Sequence, residues 1–237
     1  MAFATCSHLG RRRLGGVVVL AILWALAFEL TSAHGVSGKD ARYLLSLDGP
    51  AIGPLMYLGA KHMVTGYDHL LFLVGVIFFL YRPKDILLYV SLFTVGHSVT
   101  LLGGALGGIR ANANIVDAII GLSIVYKAFE NMGGFRALGW QPNTRLAVLT
   151  FGLFHGFGLA TKLQEYSLSR NGLATNIISF NVGVEIGQFV ALAAVLLGLS
   201  YWRTRPGYLQ HAYATNAALM TAGFVLMGYQ LTGYAVQ

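Results

Sequence analysis

Residues 59–81 read GAKHMVTGYDHLLFLVGVIFFLY, and the fold turns on how this stretch is read. His62, Asp68 and His69 stand at the mouth of an apolar run that opens a segment of membrane-crossing length. A carboxylate and an imidazole side by side at that position lose hydration on insertion, so something must compensate them. A bound cation would do so. On one continuous helix His62 and His69 fall within about 20° of the same face, and Asp68 points roughly 100° away. The two imidazoles then serve one site, with Asp68 as a flanking ligand or as the orienter of a ring N–H. The plainer reading is an interfacial polar collar that hydrogen-bonds backbone and water.

Composition sets the class. The chain is 56% hydrophobic and 11% charged, with 30 glycines and a mean hydropathy of +0.64. These values describe a polytopic membrane protein with an all-α fold rather than a soluble domain. The net charge is +7, but Arg11, Arg12 and Arg13 supply three of the positive charges and the rest are scattered through connections. No basic face interleaved with aromatics argues for nucleic acid. The charges read as topology determinants in a lipid bilayer.

The amino terminus reads as an export signal: three arginines, an apolar core from Leu14 to about Leu30, then Thr31-Ser32-Ala33 as a small-residue cleavage site. Residues 1–33 are thus a signal peptide or an uncleaved anchor, and 34–237 a single membrane domain. The only cysteine, Cys6, lies in this leader. A metal site in the mature chain must use His, carboxylate, amide or Met, which suits borderline cations such as Ni²⁺, Co²⁺ or Zn²⁺. Segment 51–63, with Pro54, reads as a half-length or interfacial helix that brings His62 to the membrane edge.

Six spans follow, at about 66–82, 86–104, 113–129, 145–162, 174–201 and 212–233. With the mature amino terminus outside, the connecting basic residues Arg82, Lys84, Lys127, Arg136, Arg145, Arg203 and Arg205 are cytoplasmic. Arg110, Lys162 and Arg170 are external, as the positive-inside tendency requires. Both mature termini are then external.

At 1.5 Å per residue, His69 comes out about 5 Å into its span and Asp117 about 6 Å. His97, His155 and Asn181 lie at about 10 Å, and Glu185 at about 16 Å. Ionisable or amide side chains from five helices would form one layer, a pattern that marks a substrate or ion path. Each member also has a structural reading. His97, among Thr94, Ser98 and Thr100, can be a hydrogen-bonded core histidine. His155 sits among Gly152, Gly156 and Gly158, whose spacing permits close helix approach. Asn181, Glu185 and Gln188 recur at helical spacing as a polar stripe. Asp117 can simply cap the helix that opens at Asn114.

The motifs HMVTGYDHLLFL, FTVGHSVTL, FGLFHGFGLA and NVGVEIGQ, in that order, resemble the HupE/UreJ family of bacterial membrane proteins, particularly its second branch. The resemblance spans roughly residues 50–232. It implies a small helical protein of the bacterial cytoplasmic (inner) membrane, associated with nickel supply for hydrogenase or urease maturation. The family's His, five residues, Asp-His signature falls on His62, Asp68 and His69, and its Phe-His-Gly signature on Phe154, His155 and Gly156. The nickel-associated branch carries a further His and an acid soon after Phe-His-Gly; here Phe157, Gly158, Leu159 and Ala160 follow. Glu185 on the next helix is a substitute for the acid.

The resulting expectation is a divalent-metal permease, with nickel first and Co, Zn or Cu as other cargoes. His62, Asp68 and His69 capture the ion, and His97, His155 and Glu185 receive it. Asp117, Asn181, Gln188 and Ser98 support them. Neutral imidazole is the ligating form, so uptake weakens as external pH falls toward about 6.5. Two alternatives use the same residues: a metal-dependent intramembrane hydrolase with an open metal position, and a non-transporting accessory subunit of a larger membrane complex. A metalloenzyme maturation system is the expected partner. No nucleotide-binding loop is present to couple ATP within the chain.

Overall fold

The computed structural model describes residues 48–165 and 171–236; the expected leader, 1–33, lies outside them. Among the described residues there are eight helices and no strand. They are α1 (Ile52–Thr65), α2 (Tyr67–Ile77), α3 (Pro83–Gly107), α4 (Ala113–Asn131), α5 (Gly134–Ala137), α6 (Thr144–Glu165), α7 (Leu173–Arg203) and α8 (Tyr208–Ala235). The chain is an all-α bundle, as its composition implies.

Local chemistry sets the boundaries. Pro83 opens α3, where a missing N–H costs nothing. Gly108, at φ 65°, closes it in the left-handed conformation, and the Ile109 N–H reaches back to Gly104 O at 3.0 Å. Asn112, not Asp117, caps α4: its side chain accepts the Ile115 N–H at 3.2 Å. Asn143 does the same for α6, accepting from Arg145 and Leu146.

The helices associate as three close pairs, each built on glycines. α3 and α6 run parallel: a Cβ at Gly96 would lie 2.5 Å from Leu149 O, one at Gly152 2.5 Å from Phe93 O, and one at Gly156 2.0 Å from His97 O. α4 and α8 run antiparallel, meeting at Gly121 and Gly223. α1 lies parallel on α7, with Gly59 against Phe180 O, Gly183 against Met56 O and Gly187 against Ala60 O. Such contacts let backbones approach without side chains between them, the packing that helices use where burial from water offers no drive.

α1 is the half-length helix expected over 51–63, and α2 opens where the first span is expected to open, near 66, but ends at Ile77, short of 82. The two are about 21 Å and 17 Å long and are broken at Gly66, whose backbone is extended (φ −72°, ψ 101°). α1 packs along α7, whereas α2 packs chiefly against α4. Asn176 holds the first end, accepting the Ala51 N–H at 2.7 Å and donating to Gly49 O at 3.0 Å. Arg203 holds the other, donating to Ile77 O and Phe78 O at 2.6 and 2.7 Å. His62 therefore lies in the middle of the bundle, not at its edge, and His62 and His69 belong to different helices. The reason is tertiary: α1 packs on α7 and α2 chiefly on α4, and the glycine accommodates the break between them.

Among the described residues, three helices are long and apolar enough to cross a membrane: α3, α6 over Thr144–Gln164, and α7. Their outward residues, among them Val95, Val99, Ile186, Phe189 and Leu197, are exposed apolar side chains, as lipid contact requires. α4 and α8 are less apolar because they carry polar groups that pair: Asp117 with Gln230, and Asn131 with Asn216. Lys127, expected in a connection, is buried within α4 and paired with Glu130.

Candidate metal site

The break at Gly66 builds the centre of the site. Gly66 N–H donates to His62 O at 2.8 Å, ending α1, and Leu70 N–H returns to Gly66 O at 3.1 Å, starting α2. The first turn of α2 then presents Asp68 and His69 at the middle of the bundle. His69 Nδ1–H donates to Asp68 Oδ1 at 3.0 Å. A Cβ on residue 66 would stand 3.1 Å from each of those two atoms, so the glycine leaves room for the pair. Of the two roles open to Asp68, orienting the ring is the one its geometry displays.

His69 is a hub. Its ring centroid lies 5.2 Å from that of His62, 5.8 Å from His97 and 5.0 Å from His155. Four helices, α1, α2, α3 and α6, thus bring four imidazoles together, and His69, His97 and His155 are each at most 3% exposed. The α3–α6 glycine contact sets the level of the last two: Gly156, beside His155, lies against the carbonyl of His97. Thr100 Oγ1 bonds Leu153 O across the same seam at 2.7 Å. Phe72 and Phe93 wall the cluster, their centroids 5.2 and 5.0 Å from that of His155.

Hydrogen bonding decides which ring atoms remain available. His155 Nδ1–H donates to Phe151 O at 2.7 Å, and His69 Nδ1–H donates to Asp68. Both rings thereby keep the Nε2 lone pair, the arrangement that carboxylate- and carbonyl-oriented metal ligands use. Nε2 of His69, Nε2 of His155 and both ring nitrogens of His97 are buried with no hydrogen-bond partner among the described residues. A buried polar atom left so costs about 1–3 kcal/mol. Two imidazoles on one tetrahedral ion place their centroids about 5 Å apart, given metal–nitrogen bonds of about 2.0 Å. The observed separations match that spacing. Among the described residues, however, no group of three or more His, Cys, Asp and Glu side chains stands ready to hold a metal ion. The rings stand close together without forming a ligand set in this structure.

The remaining expected residues form separate groups. Glu185 Oε1 accepts from Ser98 Oγ at 3.2 Å and from Asn181 Nδ2 at 3.0 Å, joining α7 to the residue after His97. Gln188 donates to Thr94 Oγ1 at 2.7 Å. Asp117 stands apart: it is 4% exposed, ion-paired with Lys162 Nζ at 2.8 Å and bonded by Gln230 Nε2 at 3.3 Å. Lys162 lies two turns beyond His155 on α6, so this pair is nearer the bundle end. Lys162 is therefore an internal partner rather than a connecting charge. The aromatic walls, Gly66 and the Asp117–Lys162 pair were not anticipated. Phe93 precedes His97 by one turn and Phe72 follows His69 by one, a spacing that is visible in sequence but indistinguishable there from ordinary packing.

Neither a curated protein nor a solved structure matches the chain. The family described as HupE / UreJ protein matches residues 39–237, and that family is associated with nickel and cobalt transport or with metallochaperone-like roles in enzyme maturation. The stretches that carry the histidine cluster all fall inside the match, and the chain belongs to the HupE/UreJ family.

Proposed function

We propose that the protein is a permease for a divalent transition metal of the nickel class, and that the ion is its cargo. The observation that carries this reading is the set of three buried histidines, His69, His97 and His155, which keep four ring nitrogens without a hydrogen-bond partner among the described residues, with the rings of His97 and His155 at 5.8 and 5.0 Å from that of His69. His62, Asp68 and His69 capture the ion at the break between α1 and α2; His97, His155 and Glu185 receive it. A discontinuous helix at mid-bundle suits this task, because the carbonyl end of one half-helix is a partial negative charge beside the ion's path. Ligands that are not preformed as a set hold an ion weakly enough to let it leave.

With α1 and α2 counted as one broken traverse, the bundle has six. Arg82, Lys84, Arg136, Arg145, Arg203 and Arg205 belong to the end where α2 finishes, against Arg110 at the other. The positive-inside tendency puts the first end in the cytoplasm and the start of α1 and the end of α8 outside, in the bacterial inner membrane. The cargo would then pass to a metalloenzyme maturation system. The cavity touching His69 measures about 10 Å³, room for about one water, which favours an ion over the lipid-sized substrate of a hydrolase.

The test is metal analysis of the purified chain offered Ni²⁺, Co²⁺, Zn²⁺ and Cu²⁺ in competition, with His155→Ala and Glu185→Ala beside it, followed by flux of the preferred ion into vesicles. Bound metal and flux in the parent protein, both lost in the variants, is the expected result. No bound metal together with no flux would overturn the permease reading and favour an accessory subunit.

A further inference from the structure

On the ion's route beyond the histidines toward the basic end stands an amide. The small cavity beside His69 is lined by Met63, Val76, Tyr89, Val90 and Gln188 among others. α3 starts at the basic end of the bundle and runs away from it, so Val90 and Thr94 lie on the basic side of His97; the cavity therefore continues from the cluster toward the basic end. Gln188 is 3% exposed. Its amide orientation follows from its neighbours: Nε2 donates to Thr94 Oγ1 at 2.7 Å and to Val90 O at 3.4 Å. The Thr94 hydroxyl hydrogen is already given to Val90 O at 2.9 Å. Both partners accept, so the nitrogen must face them. Oε1 is left buried with no hydrogen-bond partner among the described residues.

A buried amide oxygen held by its own nitrogen, at a one-water cavity with an imidazole in its wall, is a neutral ligand for a cation. Resting on the permease reading, we propose that Gln188 Oε1 is the exit ligand for the metal ion, the station that takes it from His69 toward the basic end. Met63 supplies a thioether in the same wall. An uncharged oxygen competes poorly with imidazole for nickel-class ions, so it can receive an ion that has left the cluster without trapping it, which conduction requires. The cavity admits a bare or singly hydrated ion and excludes a fully hydrated one.

The experiment uses the full chain, with Ni²⁺ as probe, measuring equilibrium binding in detergent and flux in proteoliposomes for Gln188→Leu, Gln188→Glu and His155→Ala. The leucine variant is expected to bind Ni²⁺ within about twofold of the parent while its flux falls at least tenfold. The glutamate variant, which restores an oxygen but charges it, is expected to recover flux above leucine with slower Ni²⁺ release. Unchanged flux in Gln188→Leu, with His155→Ala inactive, overturns the exit role and leaves the histidine site standing. Absence of Ni²⁺ binding and flux in the parent overturns both. If the leucine variant does not fold, the glutamate variant decides, because release and flux at parental rates in it also overturn the proposal.

Discussion

Gly156→Ala is the substitution that most sharply separates the histidine cluster from ordinary packing. The new Cβ would lie 2.0 Å from His97 O and 2.5 Å from Thr100 Oγ1. A comfortable carbon–oxygen contact is about 3.3 Å, so α3 and α6 must separate or rotate by about 1.3 Å at the level where His97 meets His155. Backbone cannot yield as a flexible side chain does, and overpacking of this kind costs about 1–3 kcal/mol. Alanine's better helix propensity returns up to about 1 kcal/mol. The net loss of stability is thus modest, but a metal site tolerates only about 0.2 Å in its ligand distances. Gly103→Ala on α3 is the matched control, since nothing lies within 4 Å of its Cβ. Thermal unfolding in detergent and equilibrium dialysis with Ni²⁺ give the two readouts. Gly156→Ala should unfold at a lower temperature and lose Ni²⁺, whereas Gly103→Ala should be as stable as the parent or more so and bind normally. Parental stability and parental Ni²⁺ binding in Gly156→Ala would refute the claim that this contact sets the cluster.

Three other perturbations probe other parts of the argument. Asp68→Asn keeps the shape of the orienting side chain but removes its charge from His69 Nδ1, and should weaken metal binding about 10–100-fold with little change in unfolding temperature; equal affinity by competition dialysis would remove Asp68 from the site. Asp117→Ala strands Lys162 in a partly buried pocket and should cost about 3 kcal/mol, whereas Asp117→Ala with Lys162→Met should cost clearly less; equal losses in a double-mutant cycle would deny the coupling. Arg203→Ala removes a charged donor from two carbonyls at the end of α2, leaving Ile77 O with the Leu80 N–H and Phe78 O with the Tyr208 hydroxyl, and should destabilise the protein by about 1.5–3 kcal/mol, read as faster hydrogen exchange in 72–80; unchanged exchange there would show that the cap is dispensable.

Several features were legible in the chain alone because each is a local property. Low charge and high apolarity decide for a helical bundle in lipid, since only helices and closed barrels satisfy the backbone there. The signature residues His62, Asp68, His69 and His155 are recognisable by spacing and order. Glycines four apart, as at Gly152 and Gly156, announce close helix approach without naming the partner. Other features depend on what lies across the seam. Gly66 reads as the junction between a half-length segment and the first span, and only the packing of α1 on α7 and of α2 on α4, with the ends held at Asn176 and Arg203, places that junction at mid-bundle. Asp117 reads the same whether it caps a helix, joins a ligand layer or pairs with Lys162, because its partner stands 45 positions away. Composition alone thus set the protein's solvent, and motif order named the candidate residues; which of them meet is a matter of tertiary structure, since helix pairing is a contact between surfaces distant along the chain and hydrophobic periodicity records only that a surface is buried, not against what.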